Sequence, residues 1–202
     1  LSVEVSAEDP LTQWFRPSSA RSIRTLQKAI HLSNAADPTP GAVEEPEWVE
    51  RLDAISCFFY CALFSTVRDL LHAFRTTNPT WLASPDSYRH RIGPGEGAIV
   101  QKFEERAAHL ANKLSVRIEN ARGPGSAVFT TGTAENLAFV DGDFDAALTS
   151  PPYATRIDYV KGTLAELAVL GVGKSFLLRL RRITTGTPVV SGKLRLGKGN
   201  LE

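Results

Sequence analysis

The sequence predicts an α/β protein, with a helical N-terminal segment over residues 1–82 and an α/β region over residues 83–200. Three observations predict it. Apolar residues recur at helical spacing over residues 18–33, 48–74 and 98–114. A short apolar run, Ala146-Ala147-Leu148, follows Asp143 and Asp145 and stops at two prolines, the pattern of a buried strand. Residues 126–137 read as a second strand running into a turn at Gly132-Thr133.

The elements follow in order. Ile23, Leu26, Ile30 and His31 share one helical face, with Ser18 or Ser19 as the expected N-cap and Trp14-Phe15 anchoring the entry. Three prolines among acidic and small residues make 34–47 a loop. Residues 48–74 form the longest helical candidate, apolar on most faces and therefore expected to be buried, until Pro79 rules out its continuation. Cys57 and Cys61 lie four apart on this helix and read as two buried thiols. Glycines 93, 95 and 97 precede the next helix. Glu119 stands where a ribose-binding acid would in a dinucleotide fold, yet residues 87–92 make a poor buried strand, so a plain turn is the safer reading. The final amphipathic pattern begins near Arg156 and carries Leu164, Leu167, Ala168 and Leu170.

The chemistry concentrates at Thr149-Ser150-Pro151-Pro152-Tyr153. Two consecutive prolines donate no backbone N–H, and their fixed φ keeps the chain extended. Pro151 also biases Ser150 toward extended geometry. Such a loop offers carbonyl oxygens, a hydroxyl and an aromatic ring with few competing donors. It is suited to gripping a planar group that bears an NH2.

The segment resembles the (Asp/Asn/Ser)-Pro-Pro-(Tyr/Phe) motif of S-adenosylmethionine-dependent methyltransferases that modify exocyclic amines of DNA bases. Its Thr-Ser-Pro-Pro-Tyr form is most similar to the N4-cytosine branch rather than the N6-adenine branch. The resemblance implies a Rossmann-like fold and a role in restriction-modification. It implies that Ser150 and Pro151 orient the amine, that Tyr153 stacks on a flipped base, and that Pro152 and Thr149 support the loop. It places Gly132, Thr133 and Asp145 toward the cofactor, Thr133 standing where the family carries Asp. Arg156, Asp158 and Tyr159 fall toward the nucleic acid. The family's Asp-Pro-Phe-x-Gly-x-Gly cofactor segment has no counterpart in these 202 residues. Other readings therefore stay open: a non-catalytic or degenerate DNA-binding subunit of a modification system, or a methyltransferase acting on RNA or a protein glutamine.

Composition narrows the classes. The balance of 23 basic and 22 acidic residues gives a net charge of +1, so a nucleic-acid surface must come from local clusters. The densest are Lys174 with Arg179, Arg181 and Arg182, and Arg89-His90-Arg91. No second Cys or His pair stands at ligand spacing, so no metal is expected. No apolar run reaches transmembrane length and no signal-peptide pattern is present, which leads to a cytoplasmic protein with no membrane partner. A homodimer or a partner subunit stays open. Residues 168–175 match a relaxed P-loop with Ala168 in the place of its first glycine, Lys174 toward the phosphates and Ser175 toward magnesium. The residues before them are periodic like a helix, which argues against that reading.

Overall fold

The computed structural model describes residues 3–33, 47–78, 80–119, 127–128, 142, 144–150 and 158–184. Among these, the chain is helical. The longer helices are α1 (Pro17–Ser33), α2 (Ala54–Leu70) and α3 (Glu96–Glu119). Three shorter helices follow: α4 (Tyr159–Gly162), α5 (Leu164–Val169) and α6 (Lys174–Ile183). No strand forms among the described residues; two isolated bridges join Phe15 to Ile92 and Arg75 to Leu82.

The N-terminal residues pack before any helix begins. Asp9 accepts a hydrogen bond from the Leu11 amide at 2.9 Å and opens a 3-10 turn, Pro10–Gln13. That turn carries Leu11, Trp14 and Phe15 into the core, where all three are essentially inaccessible. Each such side chain contributes about 1.5–3 kcal/mol through burial. Trp14 also donates its indole N–H to the Ala83 carbonyl at 2.9 Å. Helix α1 then starts at Pro17, whose missing N–H costs nothing at a first helical position. Ser19, expected as a cap, is buried instead and donates its hydroxyl to the Pro94 carbonyl at 2.8 Å.

The expected single helix over 48–74 is divided. A 3-10 turn, Glu47–Arg51, comes first. Asp53 then takes extended geometry and its carboxylate accepts from the Ser56 amide at 2.6 Å, starting α2 afresh. A second 3-10 turn, His72–Phe74, closes it. Helix α2 buries Tyr60, Leu63, Thr66 and Val67, but Cys57, Cys61 and Ile55 face outward. The expectation of two buried thiols is therefore corrected. Their four-residue spacing does put both on one face, and that face is the solvent side of an amphipathic helix.

Helix α2 is the centre of the packing. Helices α1, α3 and α5 all lie against it, so residues on both sides of position 82 share one core. Buried at one end of that core is an aromatic group. His31 meets the Tyr60 hydroxyl at 2.5 Å, and Trp48 stands edge-on to His31 with ring centroids 4.9 Å apart.

Arg24 ties α1 to the N-terminal turn and to α5. Its guanidinium forks onto the Asp9 carboxylate at 2.8 and 2.9 Å and reaches the Gln27 side chain at 2.6 Å. It also donates to the carbonyls of Ala168 and Val169 at the end of α5. The arginine thus adds side-chain donors at the end of the helix, where the last carbonyls lack their full set of intrahelical partners. Arg24→Ala is expected to destabilise the fold by about 3–5 kcal/mol, because it removes the counter-charge of Asp9 and the donor to the Val169 carbonyl. Arg24→Lys should recover only part of this, since an ammonium cannot reproduce the planar fork. Urea unfolding of the two variants checks both.

The Asp53 cap also sets a pH dependence. The hydrogen bond from the Ser56 amide holds its carboxyl below the ordinary value. A depressed folded-state value adds stability above the unfolded value, and this is lost as pH falls through the folded one. Asp53→Asn keeps a capping oxygen but carries no charge. Its stability deficit at neutral pH should shrink as unfolding is followed to pH values below 3.8, the ordinary carboxyl value.

Candidate functional site

Thr149 and Ser150 end the described segment 144–150, and both are exposed. Leu148 is fully exposed and Phe144 largely so. The apolar run expected as a buried strand thus lies at the surface with no strand partner among the described residues. A strand needs a neighbour to satisfy its N–H and C=O groups. Asp145 is exposed in the same segment. Pro151, Pro152, Tyr153 and Arg156 lie outside the described residues, as do Gly132 and Thr133.

From Asp158 onward the described residues are held by several long-range contacts. Asp158 is buried, although sequence reasoning set it toward a nucleic acid. One carboxylate oxygen accepts from the Lys161 amide at 3.0 Å and caps α4. The other pairs with the Arg181 guanidinium of α6 at 2.6 Å. This carboxylate is committed to the fold. Tyr159, the first residue of α4, is 41% exposed, so its ring remains accessible from solvent.

Two further contacts fix the segment that follows the motif. From α2, Arg68 grips both oxygens of Glu166 on α5 and donates to the Gly162 carbonyl at 2.6 Å. Lys161 lies over the Trp81 ring at 4.2 Å from its centroid, a cation–π contact. The apolar side of α5, with Ala165, Ala168 and Val169, packs into the core. Asp158 and Glu166, the acids nearest Arg156 in sequence, are therefore engaged by Arg181 and Arg68. Sequence reasoning missed Arg68 and Arg24 as anchors. Each lies some 100 residues or more from its acceptors on α5, beyond the reach of any local pattern.

The other motif candidates resolve locally. At Gly93 an added Cβ would come within 2.8 Å of the side chain of Arg16, which is exposed and would have to shift. The backbone before Gly93 pairs with residues 14–16 through Ile92, whose amide donates to the Trp14 carbonyl at 2.9 Å. Glu119 ends α3. In the P-loop-like stretch, a helix rather than a strand precedes the glycines. Gly171 adopts φ 81°, and the amides of Gly171 and Val172 donate back to Ala168 and Leu167 at 3.1 and 2.9 Å. This is a Schellman turn that ends α5, and it accounts for the glycine without a phosphate. Lys174 and Ser175 begin α6.

Asp158→Ala is expected to cost about 0.5–2 kcal/mol from the lost cap. Asp158→Asn keeps the capping acceptor and loses only the pairing with Arg181, so it should fall between. Thermal unfolding of both variants gives the order.

No family model matches the chain, and no solved structure matches it. Curated proteins do show short local likenesses. The Type II methyltransferase M.AvaI of Nostoc sp. is 39% identical over 59 residues, 29% of this chain and 12% of that protein. The protein of the same name from Anabaena variabilis matches to the same extent. The Type II methyltransferase M.BsoBI of Geobacillus stearothermophilus is 48% identical over 42 residues, 21% of this chain and 8% of that protein. The chain thus spans about a tenth of the length of these relatives, and what it shares with them is a stretch of local similarity to Type II methyltransferases.

Proposed function

We propose that this chain acts in methyl transfer to an exocyclic amine of a DNA base, with N4 of cytosine favoured over N6 of adenine, on a Rossmann-like α/β scaffold. The observation that carries the proposal is Thr149-Ser150-Pro151-Pro152-Tyr153 in a chain whose curated likenesses are Type II methyltransferases.

The residue types account for the chemistry. An exocyclic amine is a weak nucleophile because its lone pair is conjugated with the base ring. Its two N–H groups would donate to the Ser150 hydroxyl and the Pro151 carbonyl, favouring a pyramidal nitrogen with its lone pair released. These hydrogen bonds strengthen as positive charge develops on nitrogen, so they lower the barrier rather than merely bind. Tyr153 offers a stacking face to a base turned out of the duplex. The exposure of Thr149 and Ser150 agrees with a loop that must meet a macromolecular substrate. No covalent nucleophile is needed.

S-adenosylmethionine, when bound, would supply an electrophilic methyl group. Of the residues assigned toward it, Asp145 lies among the described residues, and its exposed carboxylate fits as an acceptor for hydroxyl or amino groups. The chain's own contribution is then alignment of the amine, which converts an encounter into a near-unimolecular displacement.

Ser150→Ala and Tyr153→Ala are each expected to abolish methylation while leaving the helical core folded. Nucleoside mass spectrometry of DNA incubated with labelled cofactor reads the first, and circular dichroism the second. Full activity in both variants would refute the assignment. Calorimetry with S-adenosylmethionine separates this reading from an accessory DNA-binding subunit, for which no binding is expected.

A further inference from the structure

Helix α6 is strongly basic. Arg181 and Arg182 suit its last turn, where the dipole favours cations, and Arg179 lies over the Phe176 ring at 4.8 Å. The first turn of α6 is basic as well. Lys174 occupies its first position, with no acidic residue in the first turn. The positive end of a helix dipole disfavours a cation there. Arg179 and Arg182 stand three apart, a spacing at which like charges repel. Lys174, Arg179 and Arg182 are all exposed. At 100° per residue, these three and Arg181 lie on one side of the helix, while Phe176, Leu177 and Leu180, all half-buried, lie on the other. From residue 167 onward the sequence holds seven basic residues and, in Glu202, a single acid, although the whole chain is balanced at +1. The positive charge is therefore segregated to this end.

We infer that the exposed basic face of α6 binds the phosphate backbone of a nucleic-acid duplex beside the Thr149–Tyr153 loop; the identity of the polyanion rests on the proposed function. Position supports it. Arg181 pairs with Asp158, which fastens α6 to the segment just after the motif. Asp158 is five residues beyond Tyr153, so the two backbones are separated by at most about 18 Å. That is roughly half a turn of duplex DNA, whose turn is about 34–36 Å. Chemistry supports it too. Two of the three exposed cations are arginines, whose planar forks match phosphate oxygens. The contacts are to the backbone and carry no sequence information.

The test uses the full chain and a fluorescent duplex of arbitrary sequence, titrated by anisotropy over a range of salt without cofactor. The variant is Lys174→Gln/Arg179→Gln/Arg182→Gln, which leaves Arg181 and its pair with Asp158 in place. It is expected to bind at least about tenfold more weakly at low salt, with a slope of log affinity against log salt smaller by about 2–3. Circular dichroism checks that it folds. If it does not, Lys174→Gln and Arg182→Gln singly should each reduce the slope by about one. Unchanged affinity and slope overturn the inference. So does a wild-type chain that binds phosphatidylserine vesicles and ignores the duplex. A wild-type chain that binds DNA through α6 but transfers no methyl group leaves this inference standing and removes the proposed function. Methyl transfer with an unaltered salt slope in the variant does the reverse.

Discussion

The Arg24 guanidinium is the interaction on which the described arrangement depends. A guanidinium has five N–H donors. Here five contacts use them: two to Asp9, one to Gln27 and one each to the carbonyls of Ala168 and Val169. A charge this far from water is tolerable only when its donors are met. Around it, the N-terminal turn, α1 and α5 acquire fixed relative positions. Arg68 repeats the device from α2, joining α5 and the Gly162 carbonyl. Two arginines thus hold the helix that follows the motif against a core built from the first hundred residues.

This division of labour bears on the motif. The segment after it is capped by Asp158, paired with α6, stacked on Trp81 and gripped by Arg68. The segment before it, residues 144–150, is exposed. Among the described residues, the fixed part of this region is thus the segment from Asp158 onward. Asp158 and Tyr159, grouped together by sequence reasoning, have parted roles: one is an internal fastener, the other presents a ring to solvent.

The helices were legible because their signals are local. Apolar spacing identified α1 and α3, and the periodic stretch before Lys174 was rightly read as helix. The break at Asp53 escaped notice because a long apolar run conceals one polar cap. The burial of Cys57 and Cys61 was misjudged because both are apolar in composition, while exposure depends on which face of α2 meets α1, α3 and α5. The reading of Ala146-Ala147-Leu148 as a buried strand rested on hydrophobicity alone, and hydrophobicity does not supply a pairing partner. At the site, the motif residues stand out in the sequence through a local pattern that resembles a known family. The pairings of Arg24, Arg68 and Arg181 do not, since long-range ion pairs leave no periodic trace.

The reach of the Arg24 contacts has a consequence for synthesis. They join positions 144 and 145 residues apart, so the ring they close cannot form until α5 has left the ribosome. The entropy of closing so large a ring grows only with the logarithm of its length. The obstacle is one of timing rather than energy. Until then Arg24 of α1 has Asp9 and Gln27 but lacks its acceptors on α5, and the core stays open at the place where α5 will dock. Completion of the fold is thereby coupled to emergence of the segment just beyond the Pro-Pro-Tyr loop, and a chain released before that point lacks the latch that closes it.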